Sequence, residues 1–135
     1  MIIGVGIDML EIERMRRILE GAAGERFLQR VLTAAELELA AERKGRLAEF
    51  AAGRFAAKEA VVKALGCGIG AQVGFRDLEV LPGLHGKPGC RIEPAALDRL
   101  GLRDGEVTIH LSITHSQAMA AAYAIVERTS PPADC

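Results

Sequence analysis

The chain opens with apolar and small residues in alternation. Ile3, Val5 and Ile7 take one face of a strand predicted over 1–8, and Gly4, Gly6 and Asp8 take the other. Two glycines on one strand face weaken the strand but let another backbone come close. The period then becomes helical at Ile12, Met15, Ile18 and Leu19, with Arg14, Arg16 and Arg17 among them and Arg26 and Arg30 further along. Thr33 and Glu36 form a capping-box pattern that opens another helix. A longer helix is predicted over 46–65, with Leu47, Phe50, Ala51, Phe55, Val61, Val62 and Leu65 on one broad stripe and Gly66 as its terminator.

The second half changes character. A strand is predicted over 75–81 and a turn over 86–89, after which Pro94 starts a short helix ending near Gly101. Asp104 and Gly105 turn into a strand over 106–114. Its Val107, Ile109, Leu111 and Ile113 form one face, and Thr108, His110, Ser112 and Thr114 the other. Residues 118–126 stay open between two states, since the alanines favour helix while Tyr123, Ile125 and Val126 accept strand. Helices early and antiparallel strands late predict an α+β protein. The reading is one domain over 1–128 followed by a flexible, low-complexity tail over 129–135.

Composition narrows the class. A chain of 135 residues has room for one core, and its 50% hydrophobic and 26% charged content is that of a globular domain. With no Trp, one Tyr and a formal net charge of −1, neither base stacking nor a global pull toward nucleic acid is supplied. Three cysteines without CxxC spacing read as free thiols in a reducing cytoplasm. The N-terminus lacks a basic stretch and meets Asp8 early, so no signal peptide is expected. No apolar run reaches the roughly 18 residues of a membrane span.

The long helix carries the most informative chemistry. Arg54 and Lys58 fall inside its apolar stripe, and Glu59 and Lys63 lie along the edge. Lys58 either snorkels from a half-buried helix or meets an anion such as a phosphate, because buried cations need anionic partners. Glu59 and Lys63 are either a surface i,i+4 pair or part of a site. Asp8 either caps the following helix or joins Glu59 as a Mg²⁺ ligand, with phosphate oxygens completing the shell. Gly66, Gly68 and Gly70 close a helix rather than open one, so the usual nucleotide-loop reading does not apply. Helix termination competes with backbone contacts to a ligand. Ser112, Thr114, His115 and Ser116 are either phosphate donors or a solvated strand end. His85 and His110 read as surface residues, and three histidines without HxxxH spacing make no zinc site.

Taken together, these segments resemble the 4′-phosphopantetheinyl transferases of the short holo-acyl-carrier-protein synthase type. The likeness rests on the run from Gly4 to Arg14 with its Gly-x-Asp8, and on Arg54-Phe-Ala-Ala-Lys58-Glu59-Ala-Val-Val-Lys63-Ala-Leu-Gly66. Gly86-Lys87-Pro88 and the 112–116 strip follow in order. The resemblance implies an antiparallel sheet packed against a long helix, and a homotrimer with sites between protomers. It also implies transfer of phosphopantetheine from coenzyme A to a serine of apo-acyl-carrier protein, in support of fatty acid biosynthesis, with release of adenosine 3′,5′-bisphosphate. By that likeness Asp8 and Glu59 hold Mg²⁺, Lys63 neutralises the transferred phosphate, and Glu59 or a metal-bound water takes the serine proton. Arg54, Lys58, Lys63, Gly66, Gly68, Gly86, Lys87, Pro88, Ser112, Thr114, His115 and Ser116 would contact coenzyme A. Arg14 and Arg17, about one helical turn apart, either suit the carboxylates of an acidic carrier or form a solvated helix face.

Other classes remain open on sequence alone. A carrier of the polyketide type would leave the same residues. A non-catalytic coenzyme A-binding module would need the basic residues but neither acid, and an interaction protein only the arginine-rich helix.

Overall fold

The computed structural model describes residues 1–129. Most of the predicted 129–135 tail therefore lies outside the described residues. Thr129 itself donates to the Gly105 and Glu106 carbonyls at 3.2 and 3.0 Å.

The order is β1 (Ile2–Glu11), α1 (Ile12–Glu20), α2 (Gly24–Val31), α3 (Ala34–Ala41), α4 (Leu47–Leu65), β2 (Leu78–Pro82), β3 (Pro88–Ile92), α5 (Pro94–Arg99), β4 (Val107–His115) and β5 (Met119–Arg128). An antiparallel sheet of order β1-β5-β4 packs against α4, and β2 and β3 form a separate hairpin. The fold is α+β, as the sequence predicts.

The glycine face of β1 meets the long helix. An added Cβ would sit 2.0 Å from the Ala64 carbonyl oxygen at Gly4 and 1.9 Å from that of Ala60 at Gly6. Strand and helix backbones thus touch, which a side chain would prevent. At its other end α4 meets β4, where Gly53 lies against Ile113. The helix therefore crosses the sheet diagonally, its first half toward β4 and its last toward β1. Ala56, Ala57, Ala60, Val61, Val62 and Ala64 share one core with Leu111, Ala122, Ala124 and Val126 of the sheet and Leu78, Val80 and Ile92 of the hairpin. The opposite face of β1 stays open, with Val5, Ile7 and Met9 at least half exposed.

Several expectations change. β1 runs past Asp8 to Glu11, and Glu11 rather than Asp8 precedes α1, so Asp8 caps no helix. Residues 75–77 form a 3₁₀ turn before the strand, because Asp77 accepts from the Gly74 N–H at 2.8 Å. The second turn comes earlier than 86–89, at Leu84–Gly86, with His85 and Gly86 in the left-handed region, and Pro88 and Gly89 already belong to β3. Residues 118–126 are strand. Pairing with β1 on one side and β4 on the other overrides the helical preference of alanine.

Candidate active site

Two centres form on opposite flanks of α4. The first joins β1 to the last turns of the helix. Because Gly4 and Gly6 bring the backbones together, the Lys63 ammonium reaches across to β1 and donates to the Ile7 carbonyl and to Asp8 Oδ1, both at 3.0 Å. The Asp8 side chain is 18% exposed and that of Lys63 51%. Glu59, one turn before Lys63, completes the group. Its carboxyl is pushed above the usual range, first by burial and then by the negative charge of Asp8, while Lys63 pulls it back. The ion pair of Lys63 is with Asp8, so the simple i,i+4 surface pair is not what forms.

Two neighbouring carboxylates, one of which is made costlier to ionise by the charge of the other, fit a hard divalent cation. Mg²⁺ is held by one or two carboxylates together with substrate phosphates rather than by a full protein cage. No cluster of three or more His, Cys, Asp or Glu occurs among the described residues.

The second centre lies at the other end of α4. A cleft of about 140 Å³ is lined by Arg43, Arg46, Arg54 and His115, with Glu49, Phe50, Gly53 and Ile113. The Arg54 guanidinium sits 4.5 Å over the Phe50 ring, and its Nε donates to the Val80 carbonyl at 3.1 Å. Burial lowers its pKa, Glu36 opposes that, and Arg43 adds to it. Three arginines and a histidine around one cleft make a local anion site on a chain of nearly balanced charge. Arg43 and Arg46 escape the sequence reading, although the basic run of 43, 44 and 46 before α4 carried the signal.

Lys58 belongs to neither centre. It is fully buried and its ammonium donates to Glu36 Oε1 at 2.6 Å, the Val31 carbonyl at 2.7 Å and the Phe75 carbonyl at 3.0 Å. Three acceptors exhaust its three N–H groups. The anionic partner demanded by the sequence is Glu36, and the assignment of Lys58 to coenzyme A is withdrawn.

The other expected contacts divide. Strand alternation puts His115 on the α4 side with Ile113, while Ser112 and Thr114 face the open side of the sheet with Tyr123. The Ser116 hydroxyl accepts from the Ala118 and Met119 N–H groups and holds the β4–β5 turn. The Gly66 N–H is used within the chain by the Lys63 carbonyl, as expected of a helix terminus at φ 80°. Gly68 is exposed in the loop beyond it. Gly86, Lys87 and Pro88 form the hairpin tip and do not line the arginine cleft. Arg14 and Arg30 flank a cavity of about 300 Å³ lined by Leu10, Met15, Ile18, Phe27, Phe55 and Phe75. Arg17 is exposed on α1 outside it.

An α+β fold thus presents paired carboxylates with a lysine and a separate arginine cleft, charges that a phosphate ligand would require. The chain belongs to the 4′-phosphopantetheinyl transferase superfamily, whose family model matches residues 4–125. Within it, the chain is similar to the holo-[acyl-carrier-protein] synthases. It is 47% identical to that of Geobacillus kaustophilus, over 99% of this chain and 97% of the relative. Among solved structures it is similar to the Bacillus anthracis synthase in complex with CoA (3′,5′-ADP), with TM-score 0.81, 42% identity and coverage of 96% and 99%. The Neisseria meningitidis synthase matches with TM-score 0.84, 33% identity and coverage of 95% and 100%.

Proposed function

We propose that this chain transfers the 4′-phosphopantetheine group of coenzyme A to a serine of apo-acyl-carrier protein, releasing adenosine 3′,5′-bisphosphate and supporting fatty acid biosynthesis. The observation that carries the reading is the cluster of Asp8, Glu59 and Lys63, held together by backbone contact between β1 and α4. Asp8 and Glu59 would hold Mg²⁺, which would supply charge stabilisation to the pyrophosphate during displacement. Lys63, half exposed, offsets negative charge on the phosphate being transferred. A serine hydroxyl is a weak nucleophile near neutral pH, and Glu59, whose carboxyl is pushed above its usual range by burial and by the charge of Asp8, accepts its proton.

Arg54, Arg43, Arg46 and His115 bind the phosphate-bearing nucleotide end of coenzyme A. Arg54 and Lys63 are nine residues apart, which is half a turn of angular offset and roughly 13 Å along the axis. Asp8 and Ile113 share one row of the sheet through Ala122 but stand on its two edges, roughly 10 Å apart. Centres so divided favour a site completed between copies. The open apolar face of β1, joined by the 45% exposed Tyr123, supports a homotrimer. In that assembly Gly86, Lys87, Pro88, Gly68, Ser112 and Thr114 reach a ligand held by a neighbouring protomer. Arg14, with the cavity beside it, takes the acidic carrier, and Arg17 adds charge to the same helix. The free thiols of Cys67 and Cys90 suit the cytoplasm, and among the described residues no helix is long and apolar enough to cross a membrane.

The test is intact-mass spectrometry of an apo-acyl-carrier protein incubated with this chain, coenzyme A and Mg²⁺. The expected result is a gain of one phosphopantetheine group that EDTA prevents. Coenzyme A binding without any mass gain on several competent carriers would instead indicate a non-catalytic module.

A further inference from the structure

Glu36 has more partners than its local role requires. As the third residue of a capping box it accepts from the Thr33 N–H at 2.8 Å on Oε1, and the same oxygen takes the Lys58 ammonium at 2.6 Å. Cap and ion pair are both satisfied by Oε1. The second oxygen, Oε2, is committed to the Val80 N–H at 2.8 Å. A capping-box carboxylate sits on the first turn of its helix and is usually wet, yet Glu36 is fully buried.

Val80 explains the extra bond. It lies in β2, whose one strand neighbour among the described residues is β3. The N–H and C=O of one residue in an antiparallel strand point to the same side. Both groups of Val80 therefore face away from β3, along the free edge of β2, and two side chains cap them. The N–H donates to Glu36 Oε2, and the C=O accepts from Arg54 Nε at 3.1 Å. A single residue's edge thus links the Glu36 carboxylate to the Arg54 guanidinium. With Nε engaged at Val80 and Phe50 beneath the plane, the four N–H donors of the two terminal guanidinium nitrogens are left for the arginine cleft.

We propose that Glu36 is a positioning residue for coenzyme A: through the Val80 edge of β2 it sets the reach and plane of Arg54 in the anion cleft. The inference rests on the reading of that cleft given above. Lys58 supplies the counter-charge beside the buried carboxylate, and the Thr33 cap holds it at the first turn of α3. Disturbing Glu36 lets β2 shift and moves the guanidinium away from the ligand while leaving Asp8, Glu59 and Lys63 in place.

The discriminating variant is Glu36→Gln. Its amide oxygen keeps the Lys58 and Thr33 contacts, whereas its NH₂ meets the Val80 N–H donor to donor. Steady-state transfer is measured with coenzyme A and an apo-carrier, together with calorimetric titration of coenzyme A into metal-free protein. The expected result is a KM for coenzyme A, and a dissociation constant, raised about tenfold, as for loss of one charge-assisted bond. kcat per folded protein stays within about twofold and the carrier KM is unchanged, because Asp8, Glu59 and Lys63 are untouched. Arg54→Ala raises the same constant, and adding Glu36→Gln to it raises it no further, since the two act in series. Should Glu36→Gln fold poorly, the double variant Glu36→Met with Lys58→Met removes both buried charges and breaks the same bond to Val80. A drop in kcat with unchanged constants, both KM values rising together, or additivity with Arg54→Ala would each overturn the positioning role. No effect of Arg54→Ala itself would overturn the cleft reading beneath it.

Discussion

Gly6→Ala isolates the contact on which the acidic centre depends. The new methyl carbon would lie 1.9 Å from the Ala60 carbonyl oxygen, about 1.5 Å inside the onset of ordinary contact. The obstacle is helix backbone, so no rotamer change relieves it. β1 must move off α4, and the cost is that of severe overpacking, about 3 kcal/mol. For a domain of this size that lowers Tm by roughly 10 °C, compared at fixed protomer concentration. Asp8, two residues along the same strand face, moves with Gly6 while Glu59 and Lys63 stay with the helix. Misplacement of about 1 Å in a reacting group costs on the order of 100-fold in rate. The assay pairs thermal unfolding followed by circular dichroism with carrier modification followed by intact mass at a temperature where the variant is folded. Loss of stability with full turnover would mean that Asp8 is positioned by something other than the glycine contact. Wild-type values for both would refute the close approach altogether.

Three further outcomes are expected. Lys58→Met strands a buried carboxylate and should cost about 3–5 kcal/mol in urea unfolding, whereas the double change with Glu36→Met should recover most of it. Asp8→Asn removes a negative charge beside Glu59, so in metal-free protein the Glu59 titration followed by carboxyl NMR should move to lower pH; an unmoved midpoint would mean burial alone raises it. Arg14→Glu should raise the carrier KM about tenfold with kcat unchanged, and an unchanged KM would remove Arg14 from the docking face.

Much of the candidate site is legible in the chain because each part carries a local signal. Glu59 and Lys63 share a helix, and Asp8 follows two glycines that announce a close backbone approach. The capping box at Thr33 and Glu36 forms as its spacing predicts, and Gly66 ends α4 in the left-handed region. The errors arise where a partner comes from far along the chain. Lys58 is rightly seen to need an anion, but that anion stands 22 residues away on α3. Glu36 reads as a helix cap only, because nothing in its neighbours reveals that β2 will cover it. The polar strip at 112–116 looks like one array of donors, yet a strand with period two sends His115 to the arginine cleft and Ser112 and Thr114 to the open face.

Periodicity, caps and glycines are properties of a few consecutive residues, so the sequence alone determined β1, α1, the start of α3, α4, α5 and β4, the α+β class, and Asp8, Glu59 and Lys63 as candidates for one site. Tertiary structure decided what depends on pairing between distant segments. It made 118–126 a central strand by giving it a partner on each side, buried Lys58 against Glu36, and gathered Arg43, Arg46, Arg54 and His115 around one cleft. Burial and charge pairing act through space, and distance in space is what a linear pattern does not encode.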